Sequence, residues 1–189
     1  MSALSVVVVN GSPNTPSRSG TLGELAVAEL RERFDVAATE VRPYALGAGL
    51  ALATARAEVS AAAEEALTAV ESADLVIVTI PVYRGSYPGI FKHFFDLVDQ
   101  YALAGMPVLL MATGGSERHS LVIDQVLRPL FGFFQAWVAP AGVYVPAPAF
   151  DGAAVLDAAV YTRIQVAVDD LAVLLTARAG HAEAGYPAG

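Results

Sequence analysis

Hydrophobic residues in this chain gather into short, dense runs, separated by longer stretches in which they recur every three or four positions. Four runs stand out: Leu4–Val9, Asp74–Ile80, Met106–Ala112 and Ala136–Val145. Three of them are almost continuously apolar and rich in Val, Ile and Leu. Runs of that length and composition predict strands buried on both faces, as in a parallel sheet. A weaker run, Val36–Val41, predicts an outer strand. The stretches between carry one-sided helical stripes: Leu22, Leu25, Ala26 and Leu30; Ala63, Leu67 and Val70; Phe91, Phe94, Leu97 and Val98; then Leu156, Val160, Ile164, Ala167, Leu171 and Leu174. Pro88 and Gly89 mark a helix entry. The Ala/Gly-rich segment Ala45–Ala57 matches no motif.

Strand and helix therefore alternate five times, which predicts an α/β chain with right-handed crossovers and helices on both faces of one sheet. The simplest doubly wound solution is a flavodoxin-like three-layer sandwich, a five-stranded parallel sheet in the order 2-1-3-4-5. Ligands of such sheets sit beyond the C-terminal ends of strands 1, 3 and 4, beside the point where strand order reverses. Functional loops are expected after Val9, Ile80 and Ala112. The folded domain is expected over residues 1–177, and residues 178–189, with Gly, Pro and little periodicity, as a mobile tail.

Composition narrows the chemistry. The 189 residues fit one domain, and 55% hydrophobic against 16% charged residues can cover a sheet on both sides. No apolar run reaches membrane-spanning length, and no basic, cleavable leader precedes the first run, so a cytoplasmic protein without a membrane partner is expected. The absence of cysteine removes disulfides, thiolate catalysis and thiolate metal sites. The three histidines, at 93, 119 and 181, are too scattered for a metal cage. A net charge of −8, with a single lysine at Lys92, argues against nucleic acid as a partner. Any bound anion needs a local device.

The three loops supply one. Asn10–Thr21 is a Gly/Ser/Thr/Pro loop running into a helix; its hydroxyls, backbone N–H groups and helix N-terminus suit a phosphate, and Arg18 adds a fork-shaped cation. It has neither Gly-Lys-Ser/Thr nor Gly-x-Gly-x-x-Gly, so a terminal monophosphate fits better than a nucleoside triphosphate or a Rossmann-bound dinucleotide. An ordinary polar turn with a serine helix cap is the alternative. Pro81–Gly89 crowds two Tyr, two Gly and two Pro into a rigid loop able to border a planar ligand, or else to cover the next helix. Thr113–His119 opens with a Gly pair that lets backbone approach a flat heterocycle; His119 could donate to such a ring or cap a helix. Together the loops match the parts of FMN: phosphate, ring edge and ring pyrimidine.

Gly11-Ser12-Pro13 with Pro16–Ser19, then Thr79–Tyr87, then Ala112–Ser116, resemble the NADPH-dependent FMN reductases of two-component monooxygenase systems, above all those of alkanesulfonate and methanesulfonate metabolism. Phe91-Lys92-His93, Phe95-Asp96-Leu97, Glu117-Arg118-His119 and Leu127-Arg128-Pro129 extend the likeness over roughly residues 4–175. The resemblance implies FMN and NAD(P)H as flavin and electron donor, with NADPH first and NADH possible. It implies that Ser12, Ser17, Arg18 and Ser19 hold the FMN phosphate. It also implies that Pro81, Val82, Tyr83, Arg84 and Gly85, with Thr113, Gly114, Gly115 and Ser116, border the ring, and that a reduced-flavin-dependent monooxygenase receives the product. Some relatives carry Tyr or His where this chain has Gln125, a position associated with a helix irregularity and with how firmly flavin is held.

Hydride transfer from nicotinamide to flavin needs orientation rather than a side-chain acid, so no catalytic residue is expected. Backbone N–H groups at Gly114 and Gly115 are the candidates for stabilising charge on the reduced ring, and Arg84 or Arg118 for meeting a 2′-phosphate. Phe91, Phe94, Phe95, Leu130, Phe131, Phe133, Phe134 and Trp137 exceed what two core-facing stripes require, so a homodimer or homotetramer is expected; a thick single core is the alternative. Three other functions stay open at this point: a tightly FMN-bound reductase of quinones, azo dyes or metal oxyanions, a flavodoxin-type electron carrier, and a phosphate-binding module without redox chemistry.

Overall fold

A computed structural model describes residues 3–183. Five strand positions form one parallel sheet: β1 (Leu4–Asn10), β2 (Val36–Val41), β3 (Leu75–Pro81), β4 (Pro107–Gly114), and a fifth position shared by β5 (Trp137–Val138) and β6 (Val143–Pro146). The order is β2-β1-β3-β4-β5, with β6 also paired to β4, as the alternation predicts. Side chains alternate across a strand, and the Val-rich runs feed two cores. Val7 and Val9, Val76 and Val78, and Val108 and Leu110 face α3 (Ala61–Glu71), α4 (Gly89–Asp96) and α5 (Arg128–Phe133). Val6 and Val8, Leu75 and Ile77, and Leu109 and Met111 face α1 (Arg18–Arg31) and α6 (Ala158–Glu183). Residues that looked uniformly apolar thus divide between two layers of helix.

The run Ala136–Val145 is not one strand. Four residues, 139–142, stand opposite Leu109 and Leu110 of β4 and break the ladder. Pro140 has no N–H to give. The freed groups find partners outside the sheet: Arg128 donates to the carbonyls of Ala139 (3.1 Å) and Pro140 (2.8 Å), and the Ala141 N–H donates to Asp170 Oδ2 (2.9 Å).

Helix ends also move. Leu97 and Val98 are buried but lie past the end of α4, and Leu156 is exposed and precedes α6. The segment 43–58 forms a 3-10 turn (Pro43–Leu46), a short α2 (Ala48–Ala51) and a second 3-10 turn, Arg56–Glu58. A two-stranded hairpin, β7 (Phe150–Asp151) with β8 (Ala154–Val155), follows β6 and was not expected from the sequence pattern. The last helix runs on to Glu183, past the boundary expected at 177; the remainder of the expected tail, 184–189, lies outside the described residues. No helix among the described residues is long and apolar enough to cross a membrane.

The aromatic surplus is mostly core. Phe91, Phe94, Phe95, Phe131 and Phe134 are buried, and their rings stack in sequence, with Phe91–Phe95 at 4.9 Å and Phe95–Phe131 at 5.0 Å. Phe133 is the exception at 65% exposure. It borders a groove of about 700 Å³ between α4 and α5, where Phe95, Leu130 and Gln125 also lie. Gln125 sits in a π-turn, Ile123–Leu127, the irregularity that the resemblance associates with this position.

Candidate functional site

The first loop is organised by hydrogen bonds that its own side chains make. Asn10, at the end of β1, accepts the Ser12 N–H through Oδ1 (3.0 Å) and donates through Nδ2 to Glu40 on β2 (2.9 Å). Ser12 Oγ accepts the Asn14 N–H at 3.1 Å, and the Thr15–Pro16 peptide is cis. Ser17 is the helix cap: its hydroxyl accepts the Gly20 N–H at 3.0 Å. The capping role and a place at the site coexist, because a helix leaves its first N–H groups without acceptors of its own and Arg18 and Ser19 of that turn line the cavity described below. Arg18 is already engaged. Its Nε donates to the Gly152 carbonyl at 3.1 Å, and its guanidinium carbon stands 5.4 Å from the centre of the Phe150 ring.

The second loop leaves β3 still on the ladder, with the Val82 N–H donating to Thr113 O at 2.7 Å. It then folds back tightly: Tyr83 and Ser86 exchange backbone bonds of 2.8 and 3.0 Å around Arg84 (φ 52°) and Gly85 (φ 82°). Two consecutive positive φ angles are the requirement of a type I′ turn. Gly85 meets it freely, whereas a residue with a Cβ, such as Arg84, carries a cost of about 1–2 kcal/mol there. Tyr83 is half exposed beside the turn, and burial pushes the Tyr44 phenol above its ordinary range, with Tyr83 adding to the effect.

In the third loop the two glycines have different reasons. A Cβ on Gly114 would lie 2.3 Å from the Tyr144 hydroxyl, so this position is filled by β6 rather than left for a ligand. The Tyr144 hydroxyl donates to Ser116 O at 2.6 Å and thereby holds the loop. Burial raises the Tyr144 phenol, and the nearby Glu117 charge raises it further. A Cβ on Gly115 would meet nothing within 4 Å, so here the backbone is open to a partner.

The three loops converge on a cavity of about 480 Å³, a size typical of small-molecule sites. Ten of the expected residues line it: Ser12, Ser17, Arg18 and Ser19 from the first loop, Pro81, Val82 and Tyr83 from the second, Thr113, Gly114 and Gly115 from the third. Arg84, Gly85, Ser116 and His119 do not. Arg84 borders a smaller hollow that shares Val82 and Tyr83 with the main cavity. Ser116 turns its carbonyl to Tyr144, and His119 ends a 3-10 turn, Glu117–His119, off the wall. Asn14, Pro16, Gly152 and Ala153 line the cavity unforeseen. Asn14 and Pro16 lay inside a loop already singled out; Gly152 and Ala153 come from the hairpin, and only its Asp-Gly pair could have signalled a turn there.

Among the described residues Arg18 is the one charged side chain on the cavity wall. In a chain of net charge −8 this places a single fixed cation next to a helix N-terminus, hydroxyls and open backbone. The set fits a flat ligand that ends in a phosphate. It offers no acid–base pair and, among the described residues, no cluster of three His, Asp or Glu able to hold a metal.

Known proteins share this sequence pattern and fold. The sequence profile of the family described as NADPH-dependent FMN reductase matches residues 4–150. The FMN reductase (NADPH) of Pseudomonas aeruginosa is 43% identical over 94% of this chain and 95% of its own, and the NADH-dependent FMN reductase SfnF of Pseudomonas putida is 46% identical over 89% and 91%. Among solved structures, an oxidoreductase from Corynebacterium diphtheriae superposes with a TM-score of 0.79 at 32% identity, covering 93% of this chain and 99% of that one. The apo form of the NADH:FMN oxidoreductase EMOB superposes with a TM-score of 0.76 at 32% identity, covering 90% and 89%. On this profile match and these identities, and with a sheet edge built as the fold demands, the chain belongs to the NADPH-dependent FMN reductase family.

Proposed function

We propose that the chain binds FMN in the cavity at the C-terminal edge of its sheet and reduces it with a hydride from NADPH or NADH. The observation that carries this reading is the convergence of Arg18 and the capped start of α1, the Tyr83 loop and the open backbone at Gly115 around one cavity. Bound there, the flavin supplies the hydride acceptor, and the protein supplies alignment. Ser12, Ser17, Arg18 and Ser19 hold the phosphate end. Pro81, Val82 and Tyr83 face one edge of the ring, and the N–H groups of Gly114 and Gly115 oppose charge that develops on it. Tyr83, half exposed, borders the space that the nicotinamide enters. Arg84, on the type I′ turn outside the main cavity, is read as the cation that meets a phosphate of the nicotinamide nucleotide.

The loop resemblance extends the reading to a consumer, a separate monooxygenase that takes reduced flavin and acts on a sulfonate, and to a cytoplasmic setting where reduced nicotinamide nucleotides are held. The groove beside Phe133, with Leu121 also exposed nearby in sequence, is read as the contact face of a homodimer or homotetramer; sedimentation that finds only a 19.6 kDa species rejects it. The test of function is stopped-flow absorbance on protein stripped of flavin. NADPH or NADH should be consumed only when FMN is added. Protein that purifies yellow and, before stripping, consumes NADPH or NADH with quinones or dyes and no added FMN would favour a tightly held flavin, and no consumption under any condition would reject the reductase.

A further inference from the structure

The hairpin Phe150–Val155 lies where the family profile stops, and it forms part of the cavity wall. Its root is fixed: Phe150 and Val155 are buried in the core shared with α1 and α6, and the Leu156 N–H donates to Ala149 O at 2.9 Å. Its tip is not in that core. Phe150 pairs with Val155 and Asp151 with Ala154, and the chain reverses through Gly152 (φ 58°) and Ala153, both of which face the cavity. Arg18 clasps this tip from the first turn of α1, through Nε to the Gly152 carbonyl at 3.1 Å and through its guanidinium over the Phe150 ring. The side chain expected to grip a phosphate is therefore oriented by the hairpin before any ligand arrives. A guanidinium has five N–H donors; the Gly152 bond occupies the one on Nε and leaves the terminal nitrogens for an anion.

The position of the clasp has a consequence for flavin choice. A phosphomonoester ends at its three free oxygens, so a wall immediately beyond it costs nothing. In a flavin dinucleotide the same phosphate continues into a second phosphate and an adenosine, which need room beyond the groups that hold the first phosphate. The hairpin tip stands against Arg18, the one charged side chain on the cavity wall among the described residues, and so borders the phosphate site that the flavin reading assigns. The monoester also carries about −1.5 to −2 charge, more than either phosphate of a diester linkage, and so gains more from Arg18 and the helix terminus. We propose that the hairpin Phe150–Val155, clasped by Arg18, is an end wall that makes this cavity selective for flavin mononucleotide over flavin adenine dinucleotide. The proposal rests on the flavin reading above and adds the residues that set its ligand length.

The test is fluorescence titration of FMN, FAD and riboflavin against full-length, flavin-free protein. Wild type should bind FMN at least tenfold more tightly than FAD. Phe150→Ala, which removes the ring under Arg18, and Ala153→Gly, which trims the tip without touching the core, should each tighten FAD at least threefold while riboflavin stays within twofold. If Phe150→Ala does not fold, Ala153→Gly carries the comparison alone. Equal affinity of the wild type for FMN and FAD overturns the wall, as does an equal shift of FMN and FAD in every folded variant. In both cases flavin binding survives and only the wall fails. Failure of all three flavins to bind overturns the flavin reading and the wall with it.

Discussion

Gly114 and Tyr144 make a contact that can be measured by a double-mutant cycle. Gly114→Ala places a methyl 2.3 Å from the Tyr144 hydroxyl oxygen, 3.2 Å from Cζ and 3.3 Å from Cε2. The oxygen overlap cannot persist, and displacing a tyrosine that packs in the β6 layer is an overpacking change worth about 1–3 kcal/mol. Tyr144→Phe alone removes the 2.6 Å bond to Ser116 O, a loss of about 1 kcal/mol. In the double variant the overlapping oxygen is gone, and the remaining ring contacts need only a few tenths of an ångström. The pair should therefore cost about 1–1.5 kcal/mol rather than the sum, a coupling of about 1–2 kcal/mol. Urea unfolding of the four proteins reads it directly, provided their denaturant slopes match. FMN titration of the same set should show Gly114→Ala weakening flavin binding, with partial recovery in the double variant. Additivity within about 0.5 kcal/mol would mean that Gly114 is not required by Tyr144.

Three further outcomes follow from the same geometry. Ser17→Ala should cost about 1 kcal/mol as a lost helix cap, a fall of about 2–4 °C in Tm for a chain of this size; Ser17→Asp should keep the cap but weaken FMN far more than riboflavin, because it sets a carboxylate beside the phosphate. Arg56 bridges Glu64 at 2.7 Å and Glu71, and also donates to Leu97 O at 3.0 Å; this network is part-exposed and screened, so Arg56→Ala should cost about 1–2 kcal/mol in chemical unfolding. Arg56 is also the main cause that holds the Glu64 carboxyl below its usual range. The stability tied to that shift is present above about pH 4.3 and is lost as pH falls below it, so Arg56→Ala should flatten the acid limb of a stability–pH curve. At the other end, the raised Tyr144 phenol contributes stability that is present below about pH 10 and is lost as pH rises past its folded value; Tyr144→Phe should make the alkaline decline shallower, and an unchanged slope would assign it elsewhere, Tyr44 included.

Much of the architecture was readable from pattern alone. Val6–Val9, Val76–Val78 and Val108–Ala112 are apolar at every position, and only a strand covered on both faces can bury such a run; that fixes a parallel sheet between helices, and strand order then fixes which loops meet. The same reasoning reached the three loops of the cavity, since loops after β1, β3 and β4 share one edge in this topology whatever they contain, while the ten individual cavity residues came from the resemblance to the family. It did not reach details set by contacts between segments distant in sequence. The break at residues 139–142 depends on Arg128, which donates, and Asp170, which accepts, eleven residues or more away, where the ladder fails. Gly114 reads in sequence as room for a ligand, and only the packing of β6 shows that Tyr144 occupies that room. His119 and Ser116 sit in the right loop, but the turn after Gly115 carries them off the wall.

Local periodicity and turn chemistry thus carry the strands, the helices, their alternation and the edge at which a ligand can sit, because burial on two faces or one is written in each segment separately. The wall of the cavity is different. Arg18 and Gly152 are 134 positions apart, and their meeting depends on how α1, β6 and the hairpin pack together, an energy that belongs to the folded ensemble of contacts and to no single stretch of chain.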